Sequence, residues 1–226
     1  MIPEDSRRLW SVIHGSHMWG MQNSKSDFDV ATIYRVPTKT ILSGRPYDRT
    51  RPQTKREQKV GEDLIKIEDT FWEVGHLVSY LLKGNCNAIW MTNSGQILSS
   101  CEVHEELRAI VKNNLAKNVY HSIKGMATSQ ISDATKRNLG IKGLRCAWRT
   151  LNFGINVLDG HGILFESAPE TVTELECNHM IICLKDTLEG SNLPEIPETR
   201  PFYDYLYKIR LMNLNISDYL ELTNLG

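Results

Sequence analysis

Two textures divide the chain. Residues 1 to about 95 mix short apolar and β-branched runs with Gly, Ser and Pro, whereas most of the remainder carries apolar residues at three- and four-residue spacing. Phe28 to Val36 (FDVATIYRV) is rich in β-branched and aromatic residues and predicts a strand that Pro37 ends. Ser6 to Ile13 reads as a short helix leading into a Gly15-Ser16 turn. Asp63 to Asp69 alternates well enough for a second strand, and Phe71 to Leu82 places Val74, Leu77, Val78, Leu81 and Leu82 at helical spacing, with Gly84-Asn85 as its stop. Further helices are predicted at about 102–118, 119–133, 137–159, 170–187 and 200–212. The reading is an α+β protein, a small mixed sheet in residues 1–95 followed by a helical region in 96–226.

Pro37 to Lys59 resists regular structure, since it holds three prolines and Gly44, and it is read as a mobile loop. It also changes the charge picture. The whole chain of 226 residues has a formal net charge of −1, yet Arg35 to Lys59 carries eight Lys/Arg against two Asp/Glu, a segment suited to phosphate or to solvent alone. The 41% hydrophobic and 23% charged content excludes a disordered or collagen-like chain. No stretch approaches the roughly 18 apolar residues of a membrane span, and the first residues lack the pattern of a signal peptide, so a cytoplasmic protein is expected. The five cysteines are scattered without a Cys-x-x-Cys pair, which suits reduced thiols rather than a disulfide framework or zinc cage.

The chemistry concentrates in Gly15-Ser16-His17-Met18-Trp19-Gly20 and Ser26-Asp27-Phe28-Asp29-Val30. Asp27 and Asp29 stand two apart at the start of a predicted strand, so their carboxylates share a face and can share a pair of hydrated cations. The Gly-Ser turn before them offers backbone N–H groups and a hydroxyl to phosphate oxygens. Farther along, Lys142, Arg145 and Arg149 fall at i, i+3 and i+7, one helical face that suits either a cleft or solvent, and Lys124 offers a fourth cation. His14 and His17 flank the turn and are read as surface or half-buried residues, and the five tryptophans as packing.

Gly-Ser, a further Gly and Ser-Asp-x-Asp on a strand resemble the signature of nucleotidyltransferases of the DNA polymerase β superfamily. His14 through Val36, Glu68 to Leu82 with Lys83-Gly84-Asn85, and the helical stretches Tyr120 to Ala127 and Lys142 to Leu151 resemble, more closely, the RNA-repair-pathway DNA polymerase β family. The resemblance implies a third carboxylate on a neighbouring strand, Glu68 or Asp69, with Glu68 favoured because it stands four residues before Trp72. It implies Mg²⁺ (or Mn²⁺) held by Asp27, Asp29 and Glu68, with Gly15 and Ser16 cradling the triphosphate of an NTP. Lys124, Lys142, Arg145 and Arg149 would complete the nucleotide site. The implied reaction moves a nucleoside monophosphate to a hydroxyl, on an RNA end by the family's description or on a protein side chain. A module that senses nucleotide or RNA without turnover is the alternative. The chain departs from the family at Asn85-Cys86 and Ile89-Trp90, where Asn-Pro followed by a glutamate is the pattern, and in having Glu as its third acid.

Overall fold

The computed structural model describes residues 5–24, 26–43, 52–60, 63–137 and 139–212. A five-stranded mixed sheet, in the order β3-β4-β2-β1-β5, forms one layer. Its strands are β1 (Arg7–His14), β2 (Phe28–Arg35), β3 (Gln53–Val60), β4 (Asp63–Glu73) and β5 (Ile97–Ser99). β2 and β4 pair in parallel and every other pair is antiparallel. Two short helices, α1 (Gly15–Met18) and α2 (Thr38–Leu42), lie at the ends of β1 and β2. The remaining elements among the described residues are helices: α3 (Val74–Leu82), α4 (Cys86–Asn93), α5 (Glu102–Asn113), α6 (Val119–Lys136), α7 (Gly140–Leu158), α8 (Glu174–Gly190) and α9 (Arg200–Leu211). The fold class is therefore α+β, as the sequence pattern predicts.

One face of the sheet is the core. Trp10, Val12, Ala31, Ile33 and Trp72 are at most 1% exposed, and each such side chain contributes roughly 1.5–3 kcal/mol by leaving water, the alanine less. Helix α3 covers this face, with Tyr80 edge-on to Trp72 at 5.6 Å, and so does α5, whose His104 stacks on Trp10 at 4.7 Å. Helices α6, α7 and α8 form a second layer behind α4. At the α6–α7 crossing a Cβ on Gly154 would stand 2.6 Å from Ile123, so the close approach of these helices depends on the missing side chain. The C-terminal end of α9 returns to the sheet, where Arg210 meets the buried carboxylate of Glu73 at 2.6 Å and Arg35 donates to the Ile209 carbonyl at 2.8 Å.

Two expectations fail here. Ser6 to Ile13 is not a helix but most of β1, because Trp10, Ser11 and Val12 are buried in succession, as happens to a strand covered on both faces, and a bulge at Leu9 obscures its alternation. Within the segment read as a loop, Thr38–Leu42 is helical and Gln53–Val60 is a full partner of β4; the part at 44–51 lies outside the described residues. The side chains of Gln53 to Lys59 are all exposed, so β3 buries no face and leaves no hydrophobic pattern to read. Helix α4 was hidden for the opposite reason: almost every residue in it is buried, and its only local signal is Asn85, whose side chain accepts from the Ala88 N–H at 3.1 Å.

Candidate active site

At the open end of the core face, four side chains form a row across four strands. His14 on β1 stands opposite Asp29 on β2, Asp29 opposite Glu68 on β4, and Glu68 opposite Lys55 on β3. Cross-strand partners project to the same side of a sheet, so all four share one face. Asp27 precedes Asp29 by two residues. The row is built by the register of the sheet, and the two acids far apart in the sequence become neighbours through the parallel pairing of β2 with β4.

Asp69 is excluded from that face. It pairs with Val30, is 7% exposed, and is bound by the Arg56 guanidinium at 2.7 Å. Glu68 is more open, and its partner Lys55, at 3.3 Å, has a side chain 79% exposed. Lys55 is a member of the row that sequence reasoning missed, because only the β3–β4 register reveals it.

The chain passes from β1 into α1 through Gly15, at φ +63°, and folds directly over Asp29. Beyond α1, Gly20 at φ +63° turns the backbone, the Ser167 hydroxyl donates to the Trp19 carbonyl at 2.7 Å, and the Asn23 N–H donates to the Ser26 hydroxyl at 2.9 Å just before Asp27. A cleft of about 610 Å³ results, with Gly15, Ser16, Asp27 and Asp29 on one wall and Lys142, Arg145 and Arg149 of α7 on the other. Lys124 does not line it; its ammonium lies 5.6 Å from the centre of the Tyr120 ring on the exposed side of α6. An inner recess of about 260 Å³, between His14, Trp90, Met126 and Gln130, shares Gly15 and Arg149 with the cleft.

Asp29 sits among like charges in a partly buried place. Burial pushes the Asp29 carboxyl above the ordinary carboxylate range, the negative charges of Glu68 and Asp27 push it further, and His17 and Arg149 only partly oppose them. Arg149 is held by the Trp19 ring, 5.2 Å from its guanidinium carbon, and burial lowers its proton affinity. His14, pushed down to about 4 by burial, is neutral at pH 7. His17 stacks on Phe28 at 4.1 Å. Trp19 packs edge-on to Trp90 and Phe165, at 5.2 and 5.1 Å, and is core as well as loop.

Crowded carboxylates in a partly desolvated cleft are a hard-oxygen donor set of the kind that Mg²⁺ or Mn²⁺ takes. Mg²⁺ is held by one or two carboxylates together with water and substrate phosphates. Among the described residues no three His, Cys, Asp or Glu side chains converge on one point, and Glu68 is paired with Lys55. Asp27 and Asp29 meet the one-or-two requirement without it. On α8, Cys177 is fully buried, and Cys183 and His179 lie 3.6 Å apart, one helical turn from each other.

Residues 3–173 match the model of the RNA repair pathway DNA polymerase beta family. Over 119 residues the chain is 29% identical to an uncharacterized protein of Methanocaldococcus jannaschii, an alignment that covers 53% of this chain and 46% of that one, so the chain spans about half the length of this curated relative. A nucleotidyltransferase-like protein from Exiguobacterium sibiricum aligns with 92% of this chain and 76% of its own at 11% identity and a TM-score of 0.31. No helix among the described residues is long and apolar enough to cross a membrane.

Proposed function

The chain belongs to the RNA repair pathway DNA polymerase beta family, and from that membership and the geometry of the cleft we propose that it transfers a nucleoside monophosphate from an NTP to a hydroxyl on an RNA end. The observation that carries the reading is the pair Asp27 and Asp29, which shares a cleft wall with Gly15 and Ser16 and faces three cations of α7, with Glu68 next to Asp29 on β4 outside the cleft lining. The acceptor oxygen bonds to the α-phosphorus. The bond from that phosphorus to the bridging oxygen breaks, pyrophosphate departs with the electron pair, and the hydroxyl proton passes to solvent.

Each residue has a part that its position suits. Asp27, Asp29 and Glu68 would hold Mg²⁺ or Mn²⁺, which when bound supplies stabilisation of charge on the attacking and departing oxygens. Arg149, Arg145 and Lys142 neutralise the triphosphate from the opposite wall and hold it in line for departure. Ser16 and the Gly15 backbone approach the phosphates where a side chain would obstruct them. Glu68, beside Asp29 on the next strand, is the third carboxylate of this reading, and its ion pair with the exposed Lys55 is one that a bound cation would replace.

The test is incubation with each α-³²P-labelled NTP and Mg²⁺ or Mn²⁺, with RNA or protein extract as acceptor, beside Asp27→Asn and Asp29→Asn. Label appearing on RNA only with the unsubstituted protein supports the reading, and label on protein reassigns the acceptor. The Lys55–Glu68 pair favours one second reading, a module that binds nucleotide or RNA without turnover. Retained nucleotide binding with no label on any acceptor, under conditions where an active transferase labels RNA, would select it.

A further inference from the structure

β2 begins at Phe28, opposite Ile67. The segments Asp63 to Lys66 of β4 and Glu57 to Val60 of β3 run past that point as a two-stranded ribbon, four residues or roughly 13 Å long. The ribbon has no core of its own: Gln53 to Lys59 are exposed, and Leu64 is 60% exposed. An isolated hairpin gains little stability in water, so this extension adds almost nothing to the fold.

Its two faces differ. The register places Lys55, Glu57 and Lys59 of β3 with Leu64, Lys66 and Glu68 of β4 on the face that carries Asp29. The opposite face carries Thr54, Arg56 and Gln58, and its one cation is committed to Asp69. On the site face Lys59 and Lys66 are exposed and continue outward from the strand positions of Lys55 and Glu68. Lys66 lies two residues beyond Glu68 on β4, with Glu57 opposite it, and Lys59 lies four residues beyond Lys55 on β3. The two ammonium groups are thus staggered roughly 7 and 13 Å outward from the row on adjacent strands, a stagger that can follow an extended polyanion.

We infer that this ribbon is the track for the phosphodiester backbone of a single-stranded RNA acceptor, with Lys59 and Lys66 holding phosphates upstream of the 3′ hydroxyl that reaches Glu68. The inference rests on the transferase reading above and names the surface by which its acceptor is held. The charge complementarity is local. Lys59 and Lys66 lie outside the triphosphate cleft, whose cations come from α7. Contact through ammonium groups to phosphate gives binding that depends on salt and not on base sequence.

The experiment is fluorescence anisotropy with a labelled single-stranded RNA of about 12 nucleotides, titrated with the full chain between 50 and 200 mM KCl, roughly the range over which phosphate contacts are lost. The Lys59→Gln/Lys66→Gln variant is expected to bind at least tenfold more weakly at the low-salt end. The slope of log K against log salt should fall by about 1.4, two contacts at about 0.7 each. NTP affinity should stay unchanged. A Lys136→Gln/Lys185→Gln variant, equal in charge loss on α6 and α8, should bind RNA as the parent does.

The track is overturned by unchanged RNA affinity in the ribbon variant, which would leave its lysines as guards of an open sheet edge. Equal loss in the α6/α8 variant, failure of the parent to bind the oligonucleotide, or a protein acceptor would overturn it too. Failure of the transferase reading looks different: the parent binds RNA through Lys59 and Lys66 and transfers no nucleotide. Transfer to RNA that ignores these two lysines sinks the track and leaves the reaction standing.

Discussion

Gly15 and Asp29 compete for one volume: a Cβ built on Gly15 would overlap Asp29 Oδ2, and Gly15 also holds φ +63°. The start of the Gly-Ser turn is thus folded onto the carboxylate at the centre of the row, and the proposed phosphate loop and its acid are set by one contact. Gly15→Ala is expected to displace Asp29 and lower transfer at least tenfold, while the left-handed backbone costs about 1–2 kcal/mol of stability. Urea denaturation together with label transfer checks both, and an alanine variant with unchanged transfer contradicts the coupling.

Arg149 spans the cleft and the inner recess and is anchored by the Trp19 ring. A hydrogen bond from a charged donor is worth roughly 1.5–3 kcal/mol. Arg149→Met, which keeps the aliphatic stem, is expected to raise the Kd for NTP by one to two orders of magnitude without unfolding the protein. Isothermal titration with NTP, beside a thermal melt, measures this. Unchanged affinity would remove Arg149 from the nucleotide site.

His104 gives the protein a pH-dependent stability. It is fully buried, stacked on Trp10, with Nε2 2.9 Å from the Thr92 carbonyl and Nδ1 2.9 Å from the Ser100 hydroxyl. Burial pushes its proton affinity down. A histidine whose folded pKa lies below its unfolded value of about 6.5 takes up a proton more readily when unfolded. Stability is therefore full above that pH and is lost as the pH falls below it. The urea midpoint is expected to fall between pH 7.5 and 5.5, with part of the fall absent in His104→Asn; an identical fall in that variant would assign the effect elsewhere.

The legible and the hidden parts of the molecule differ in where each signal resides. Asp27, Asp29, Gly15 and Ser16 lie within 15 residues of one another, so their joint pattern and the family signature that it resembles singled them out. Lys142, Arg145 and Arg149 lie on one helix face, and the fold turns that face to the cleft, whereas Lys124 faces away from it. Glu68 and Asp69 were separable only by register: the pairing of Asp29 with Glu68 puts one on the row and leaves the other to Arg56. Lys55 was invisible because β3 has no buried face, and β1 was misread because burial on both sides removed its alternation. Local chemistry was legible. Strand pairing, which sets Glu68 beside Asp29 and Lys55 beside Glu68, was not.

If the acid row is the catalytic device, Glu68 and Asp69 must behave differently, and that contrast is the most direct test. Transfer of label from an α-³²P NTP to RNA should be measured for Glu68→Gln and Asp69→Asn, with circular dichroism to verify folding. Glu68→Gln is predicted to stay folded and lose transfer by about a hundredfold or more, in line with losing a group that supports transition-state charge. Asp69→Asn should keep transfer and lose about 1 kcal/mol of stability, since its partner Arg56 is half-exposed. Transfer that survives Glu68→Gln and vanishes with a folded Asp69→Asn would contradict the catalytic role of the row.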